Sequence, residues 1–162
     1  MDPLIFGIIT VELMIIAWID IKTKRISNIW SLANLMMFFF FLVLLPQAYP
    51  LHISHFFYPL GFLVIGFILF NLKIMGAGDS KLLSSLFLIT PYKFHHLLFE
   101  NILYATMITG TIFFMIAVVK NWKDFKAFTL STYWRGVAQI IKSKFSYAPV
   151  IAIAWMLLGV KR

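Results

Sequence analysis

Two aspartates stand at the edges of apolar runs, where a carboxylate is energetically expensive. Asp79 follows the turn Gly76-Ala77-Gly78 and precedes an apolar run, and Asp20 ends the first apolar run of the chain. An ionisable group at such a junction is by default a functional-site hypothesis. A carboxylate at the carboxyl end of a helix also meets the unfavourable end of the helix dipole, so helix stability does not explain Asp20. For Asp79, the alternative interpretation is a solvated acid in a short turn.

Two carboxylates that lie close together can hydrolyse a peptide bond without a metal or a cofactor. Like charges at short range do not both ionise easily, so such a pair shares one proton over a useful pH range. The ionised carboxylate acts as general base on a water molecule, while the protonated one polarises the carbonyl and later protonates the leaving amine. A small proton- or cation-coupled transporter would also place acids inside a helical bundle, so it remains an alternative.

The composition predicts an integral membrane protein. Of the 162 residues, 62% are hydrophobic and 12% are charged, and the mean hydropathy is +0.92, which is too apolar for a soluble domain. The net charge of +8 comes from basic residues that flank apolar runs, as expected for contact with membrane lipids rather than nucleic acid. The absence of cysteine excludes disulfides and cysteine-ligated zinc. The first apolar run is not expected to be a cleaved signal peptide, because its basic residues follow it.

Six apolar segments predict an all-α integral membrane fold, a polytopic bundle of about six transmembrane helices in one domain over residues 1–162. Helices are favoured because no alternating barrel pattern appears and backbone polar groups must be satisfied within lipid. Several segments are shorter than the ~20 residues that span a bilayer, so they need polar extensions or shelter from neighbours. The segments are Leu4–Ile19, Ile29–Leu45, Phe56–Leu72, Leu82–Thr90, Leu97–Val119 and Ala148–Val160.

The distribution of basic residues predicts the orientation of the bundle. With the amino terminus outside, the cytoplasmic side holds eleven basic residues and the opposite side three, which is a strong orientation signal. Asp20 and Asp79 then both face the cytoplasm. The eleven are Lys22, Lys24, Arg25, Lys73, Lys81, Lys120, Lys123, Lys126, Arg135, Lys142 and Lys144, and the three are Lys93, Lys161 and Arg162.

The stretch between Asn121 and Phe145 predicts a helix on the membrane surface. Aromatic and aliphatic residues recur there at helical spacing, with most basic residues off that face. This pattern is typical of an interfacial amphipathic helix on the inner leaflet.

Three separated motifs carry a family resemblance. The sequence GAGDSK of Gly76 to Lys81 resembles the GxGDxK signature of the GxGD aspartyl proteases, in the form used by type IV prepilin peptidases. DIKTKRISN, from Asp20 to Asn28, resembles the other half of that signature, with Ser27 where proline is usual. Tyr147, Ala148 and Pro149 resemble the carboxyl-terminal aromatic-Ala-Pro element of the family, with Ser146 where another proline is common.

The resemblance implies an aspartic endopeptidase that removes the short basic leader of prepilins at the cytoplasmic membrane face. Asp20 and Asp79 carry over as the catalytic pair, with no metal or cofactor. Gly76 and Gly78 carry over as a turn that admits the substrate backbone, since glycine tolerates unusual backbone angles and close approach. The short loop after the first helix and the absence of cysteine imply a minimal form without methyltransferase activity, similar to Flp/Tad-type enzymes. The further substrate-binding residues implied are Lys81, Asn28 and Pro149. An inactive secretion-system subunit that keeps the fold is a third alternative.

Several other polar residues have simpler interpretations. Glu12 lies within the first apolar run, about two helical turns from Asp20, so it is expected to tune or stabilise the structure rather than join the chemistry. The four histidines fall on the outward side without a carboxylate cluster, so metal binding is not expected. The phenylalanine run Phe38–Phe41 is expected to face lipid or fill the core.

Overall fold

The computed structural model describes residues 2–49, 52–72, 75–120 and 147–160, and these residues form helices and turns without a strand. The predicted all-α class is therefore confirmed for this part of the chain. Short 3₁₀ turns at Ile53–Phe56 and Tyr92–Phe94 precede the third and fifth helices. The α-helices are α1 (Pro3–Thr23), α2 (Asn28–Leu44), α3 (Phe57–Asn71), α4 (Ala77–Ile89), α5 (His95–Lys120) and α6 (Ala148–Val160).

Two helical stretches in the described residues are long and apolar enough to cross a bilayer. They are Pro3–Thr23 with 21 residues and Ile53–Asn71 with 19. Asn28–Leu44 and Ala148–Val160 are apolar but shorter. These lengths support a membrane protein without establishing the predicted number of six spans. The predicted interfacial helix between Asn121 and Phe145 lies outside the described residues.

The fourth helix differs from its predicted segment. The apolar pattern predicts Leu82–Thr90, whereas α4 begins at Ala77 and includes Asp79 in its first turn. Most of α4 is buried by neighbouring helices, including three serines among its apolar residues. The hydropathy pattern missed the start of this helix because Asp79, Ser80 and Lys81 in its first turns are polar.

The helices pack in two sets that meet along a seam. α4 packs mainly against α2 and α3, while α6 packs against α1 and α5. Within the second set, the Trp155 indole N–H on α6 donates to the hydroxyl of Thr10 on α1 at 3.0 Å. Asp20 belongs to the α1 set and Asp79 to the α4 set, so the two acids approach each other from opposite sides of the seam.

The loop between α1 and α2 is short and tightly closed. α1 ends in Lys24, which has a left-handed backbone (φ 50°) and donates its N–H to the Asp20 carbonyl at 2.8 Å. Ser27, the residue that replaces the usual proline, precedes α2, and its hydroxyl accepts the Ile29 N–H at 3.4 Å. Serine is a favoured helix cap, so the departure from the family pattern preserves the helix start.

Two histidines are buried at the end of the bundle opposite the aspartates along α4. The Nε2 atoms of His55 and His95 lie 3.0 and 2.8 Å from the carbonyls of Leu88 and Thr90, and the ring centroids are 4.9 Å apart. His96, by contrast, is exposed and lies 3.6 Å from Glu100. No group of three or more candidate metal ligands occurs among the described residues. The histidine pair thus packs against the carboxyl end of α4 and contacts its last carbonyl groups.

A buried polar network joins the two helix sets near Glu12. The amide nitrogen of Asn34 on α2 lies 2.9 Å from each carboxylate oxygen of Glu12, and its oxygen lies 3.0 Å from the Ser85 hydroxyl on α4. This amide orientation is assigned because the reverse would point the amide oxygen at the carboxylate. Asn34 is 1% exposed. The network fits the structural role expected of Glu12, and it links α1 to α4 through α2.

Replacing Asn34 with leucine is expected to destabilise the protein. The change leaves the Glu12 carboxylate facing an apolar group, and a buried polar group without a partner costs about 1–3 kcal/mol. Thermal unfolding in detergent would show a lower midpoint. Asn71→Leu is the matched control, because Asn71 is exposed at the end of α3. Equal midpoints for the two variants would contradict a stabilising network.

Candidate active site

Asp20 is held by the first residue of another helix. It lies in the last turn of α1, is 4% exposed, and its Oδ2 accepts the backbone N–H of Ala148 at 3.2 Å. Ala148 is the first residue of α6, where free N–H groups and the helix dipole favour an anion. The end of α1 disfavours a carboxylate, and the start of α6 offsets this cost. The unusual position of Asp20 therefore depends on a contact 128 residues away in sequence.

Asp79 is the third residue of α4 and bonds back to the residue before the helix. Its Oδ2 accepts the Gly76 N–H at 3.2 Å, in the manner of an acidic residue in a capping box. The carboxyl is partly buried and precedes the apolar segment Leu82–Thr90. Its pKa rises from the ordinary value of 3.8 to about 7. Burial is the largest cause, the negative charge of Asp20 adds to the rise, and the Gly76 N–H opposes it.

The two acids are close enough to interact electrostatically. The charge of Asp20 contributes to the raised pKa of Asp79, and the charge of Asp79 in turn contributes to a raised pKa of Tyr147. The end of α1, the start of α4 and the start of α6 thus meet at one site. A pair in which one carboxyl holds a proton near neutral pH has the two forms that general acid–base hydrolysis requires.

The glycines of the turn allow two helix ends to approach each other. A Cβ on Gly78 would lie 2.9 Å from the Ile26 carbonyl oxygen and 3.0 Å from the Ile26 Cβ, which is too close for an unstrained side chain. Gly78 therefore allows the loop between α1 and α2 to pack closely against α4. Gly76 has ordinary extended angles (φ −73°, ψ 145°), and no glycine in the described ranges has a positive φ. Of the two properties expected of these glycines, Gly78 uses close approach of a second backbone rather than unusual backbone angles.

The other predicted substrate-binding residues lie at the helix ends around the acids. Lys81 donates from Nζ to the side-chain oxygen of Asn28 at 3.0 Å, and both residues are exposed. Asn28 begins α2, and Pro149 follows Ala148 in the first turn of α6, where it is half-buried. The structure thus pairs Lys81 with Asn28 across α4 and α2. Their roles in binding, like that of Pro149, remain predictions.

Thr106 contacts Tyr147 beside the candidate site, although the sequence analysis did not single it out. Its hydroxyl lies 2.6 Å from the Tyr147 hydroxyl and donates to the Ile102 carbonyl at 2.7 Å. Tyr147 itself entered only as part of a resemblance. A threonine inside a long apolar helix carries no signal of its own, because such hydroxyls usually bond back to their own helix, as Thr111 does to the Met107 carbonyl.

Comparison with known proteins identifies the family to which the chain is similar. The chain matches the model of the type IV leader peptidase family over residues 7–120, a stretch that contains both aspartates and both glycines of the turn. No curated protein and no solved structure matched the chain. Because the matched stretch covers most of the 162 residues and includes the helices that carry the two acids, this protein belongs to the type IV leader peptidase family.

Proposed function

We propose that this protein is an aspartic endopeptidase that removes the short basic leader of Flp/Tad-type prepilins at the cytoplasmic face of the inner or plasma membrane. Membership of the family accounts for an aspartic peptidase embedded in the membrane and for a prepilin as the general substrate. One observation carries the catalytic part of the proposal: Asp20 and Asp79 come from different helices, and the charge of one acts on the other.

The environments of the two acids assign them different roles. Asp20 accepts the Ala148 N–H at the positive end of α6, which suits a carboxylate and makes it the general base. Asp79 has a pKa of about 7 and supplies the acid. Asp20 takes a proton from water as the water oxygen bonds to the scissile carbonyl carbon, and Asp79 protonates the carbonyl oxygen. The C–N bond then breaks, and the amine leaves with a proton returned by the pair.

The absence of methyltransferase activity is proposed from the length of one connection. α1 ends at Thr23 and α2 begins at Asn28, so four residues join the first two helices. The larger prepilin peptidases that the motifs resemble carry a cytoplasmic insertion with a cysteine zinc site there, and this chain contains no cysteine. A loop of this length supports leader cleavage alone.

The positions of the acids favour a peptidase over a coupled transporter. Asp20 lies in the last turn of α1 and Asp79 in the first turn of α4, at helix ends rather than at helix centres. A prepilin has a basic leader followed by a membrane helix, so its cleavage site lies where the membrane meets the cytoplasm. In a bundle of about six spans with the proposed orientation, the two acids would meet that site. The basic residues of nearby loops would repel a basic leader, so they more simply contact lipid headgroups.

Co-expression with a Flp-type pilin precursor tests the proposal. Wild-type protein is expected to produce a shortened pilin with an unmodified amino terminus, while Asp20→Asn and Asp79→Asn each reduce cleavage by about a thousandfold or more, because each removes one half of the acid–base pair. Glu100→Gln is the matched control, since Glu100 is a half-buried acid on α5 that pairs with His96 away from the candidate site. Gel mobility and intact mass of the pilin report the outcome. Unchanged processing in either aspartate variant would refute the catalytic pair, and a methylated product would refute the minimal form.

A further inference from the structure

The residue that follows α4 is fixed to that helix by several bonds. The Thr90 N–H lies 3.1 Å from the Leu86 carbonyl and 3.3 Å from the Phe87 carbonyl, and the Thr90 hydroxyl donates to the Leu86 carbonyl at 2.7 Å. Thr90 is fully buried. Its own carbonyl is therefore held rigidly at the end of α4, and it needs a donor from another element because a buried carbonyl without a partner is costly.

The donor comes from the first residue of α5. His95 begins that helix, and its Nε2 lies 2.8 Å from the Thr90 carbonyl. A carbonyl only accepts, so Nε2 carries the hydrogen atom. The imidazole is 1% exposed and packs edge-to-face with the rings of Tyr58 and Phe87, with centroids 5.4 and 5.5 Å away. The orientation of the ring is thus fixed, and the bond links α4 to α5 across the turn between them.

This bond joins the two helix sets. α4 packs with α2 and α3, whereas α5 packs with α6. α6 also holds Asp20, through the Ala148 N–H. One path of contacts runs from Asp20 through α6 and α5 to His95. It continues from Thr90 along α4 to Asp79, in the first turn of that helix. Because a helix has a fixed rise per residue, a shift of Thr90 along the helix axis also moves Asp79.

We propose that His95 is a positioning residue that sets the register of α4 against α5, and thereby the separation of Asp79 from Asp20. The inference rests on the proposed function of this acid pair. His95 binds the opposite end of α4 from Asp79, roughly 16 Å along the helix axis, so it acts through the helix. Apolar packing between helices is non-directional and tolerates small displacements, whereas a hydrogen bond between two rigid groups does not. The Asn34 network is a second polar link between the sets.

His55 provides a matched control within one helix set. Its Nε2 lies 3.0 Å from the Leu88 carbonyl, also near the end of α4, and its ring is 2% exposed. His55 belongs to the 3₁₀ turn that precedes and packs against α3, in the same set as α4. Phenylalanine at position 55 or 95 keeps an aromatic ring and removes the donor. Both variants should lower the thermal unfolding midpoint, but only His95→Phe removes a bond between the sets.

Cleavage kinetics separate positioning from stability. His95→Phe is expected to lower kcat about tenfold to a hundredfold with little change in KM, because a displacement of about 1 Å in a reacting group has an effect of this size. His55→Phe should keep kcat close to the wild-type value. His95→Gln should recover most of the lost kcat, since its amide nitrogen stands as many bonds from the backbone as Nε2 and also donates.

A distance measurement reports the register without any cleavage. The chain contains no cysteine, so Ile21→Cys and Leu72→Cys together create two unique spin-label sites. Both positions are exposed, at the carboxyl ends of α1 and α3, with one in each helix set. The label-to-label distance distribution, measured by pulsed electron paramagnetic resonance, should shift or broaden in His95→Phe and return in His95→Gln. In His55→Phe it should match that of the unsubstituted labelled protein.

Three results would overturn the inference: an unchanged distance distribution in His95→Phe, a wild-type kcat in that variant, or an equal loss of kcat in His55→Phe. Cleavage that survives in Asp20→Asn or Asp79→Asn would instead overturn the proposed function, and the label distances would still report the register of the helix sets.

Discussion

Replacing Asp79 with asparagine is expected to abolish peptide cleavage and, at the same time, to make the protein more stable at pH 8. The carboxyl has a pKa of about 7 in the folded protein and an ordinary value of 3.8. Between these values, the folded state binds a proton that the unfolded state does not. Stability from this group is therefore fully present below about pH 4 and is lost as pH rises toward 7. Above pH 7, the folded protein holds a partly buried carboxylate next to Asp20.

Asparagine keeps the shape of the aspartate side chain and cannot ionise. A difference of about three units between the folded and unfolded pKa values of Asp79 corresponds to as much as about 4 kcal/mol of unfolding free energy at pH 8. Water that reaches the carboxyl reduces this figure. Thermal unfolding of wild type and Asp79→Asn, followed from pH 4 to pH 8, should show midpoints that diverge by about 5 °C or more at the alkaline end. Glu100→Gln, which changes an acid away from the candidate site, should parallel wild type. Midpoints of Asp79→Asn that stay parallel to wild type at every pH would contradict a raised pKa.

The same pKa predicts how cleavage responds to pH. If Asp79 supplies the proton, turnover by the wild type should decline as pH rises through about 7. Single-turnover rates on a fixed precursor concentration measure this decline directly. A catalytic acid that lowers the stability of its own fold is the usual compromise at an active site, because the burial that raises its pKa also penalises its charged form.

The two acids stand out in the sequence because each breaks a strong local pattern. Asp20 and Asp79 interrupt apolar runs, and the glycines beside Asp79 mark a turn. Those patterns are local, so they are readable without a fold. The convergence of the two acids is not local. It depends on the seam between two helix sets and on the Ala148 N–H, which lies 128 residues after Asp20.

The sequence predicted the start of α4 less well. Ser80, Ser84 and Ser85 lower the hydropathy of this helix, although all three are buried. Ser84 donates to the Pro59 carbonyl on α3 at 2.8 Å, and Ser85 lies 3.0 Å from Asn34 on α2. The missed start comes instead from Asp79, Ser80 and Lys81, which precede the apolar residues of this helix, and Ser80 bonds back to the Gly76 carbonyl in its own turn at 3.4 Å. Thr106 escaped notice because its significance depends on Tyr147, which is distant in sequence.

Replacing Gly66 with alanine is expected to separate α3 from α4 and to reduce cleavage severely. A Cβ on Gly66 would overlap the Cβ and Oγ of Ser80, and the Ser80 Cα would lie only 3.2 Å away. Ser80 is the residue after Asp79, so the overlap pushes on the backbone that positions the proposed catalytic acid. Overpacking of this kind costs about 1–3 kcal/mol of stability. A displacement of about 1 Å in a reacting group can lower turnover by about a hundredfold.

Gly61 provides the matched control on the same helix. A Cβ on Gly61 meets nothing within 4 Å, so Gly61→Ala should leave cleavage unchanged and add a little helix propensity. Combining Gly66→Ala with Ser80→Gly removes the atoms that overlap, and this double variant should recover much of the activity. Cleavage rates and thermal midpoints of the three variants decide the matter. Full activity in Gly66→Ala would show that α3 does not position Asp79, whereas recovery in the double variant would show that the contact between these two helices holds the acid in place.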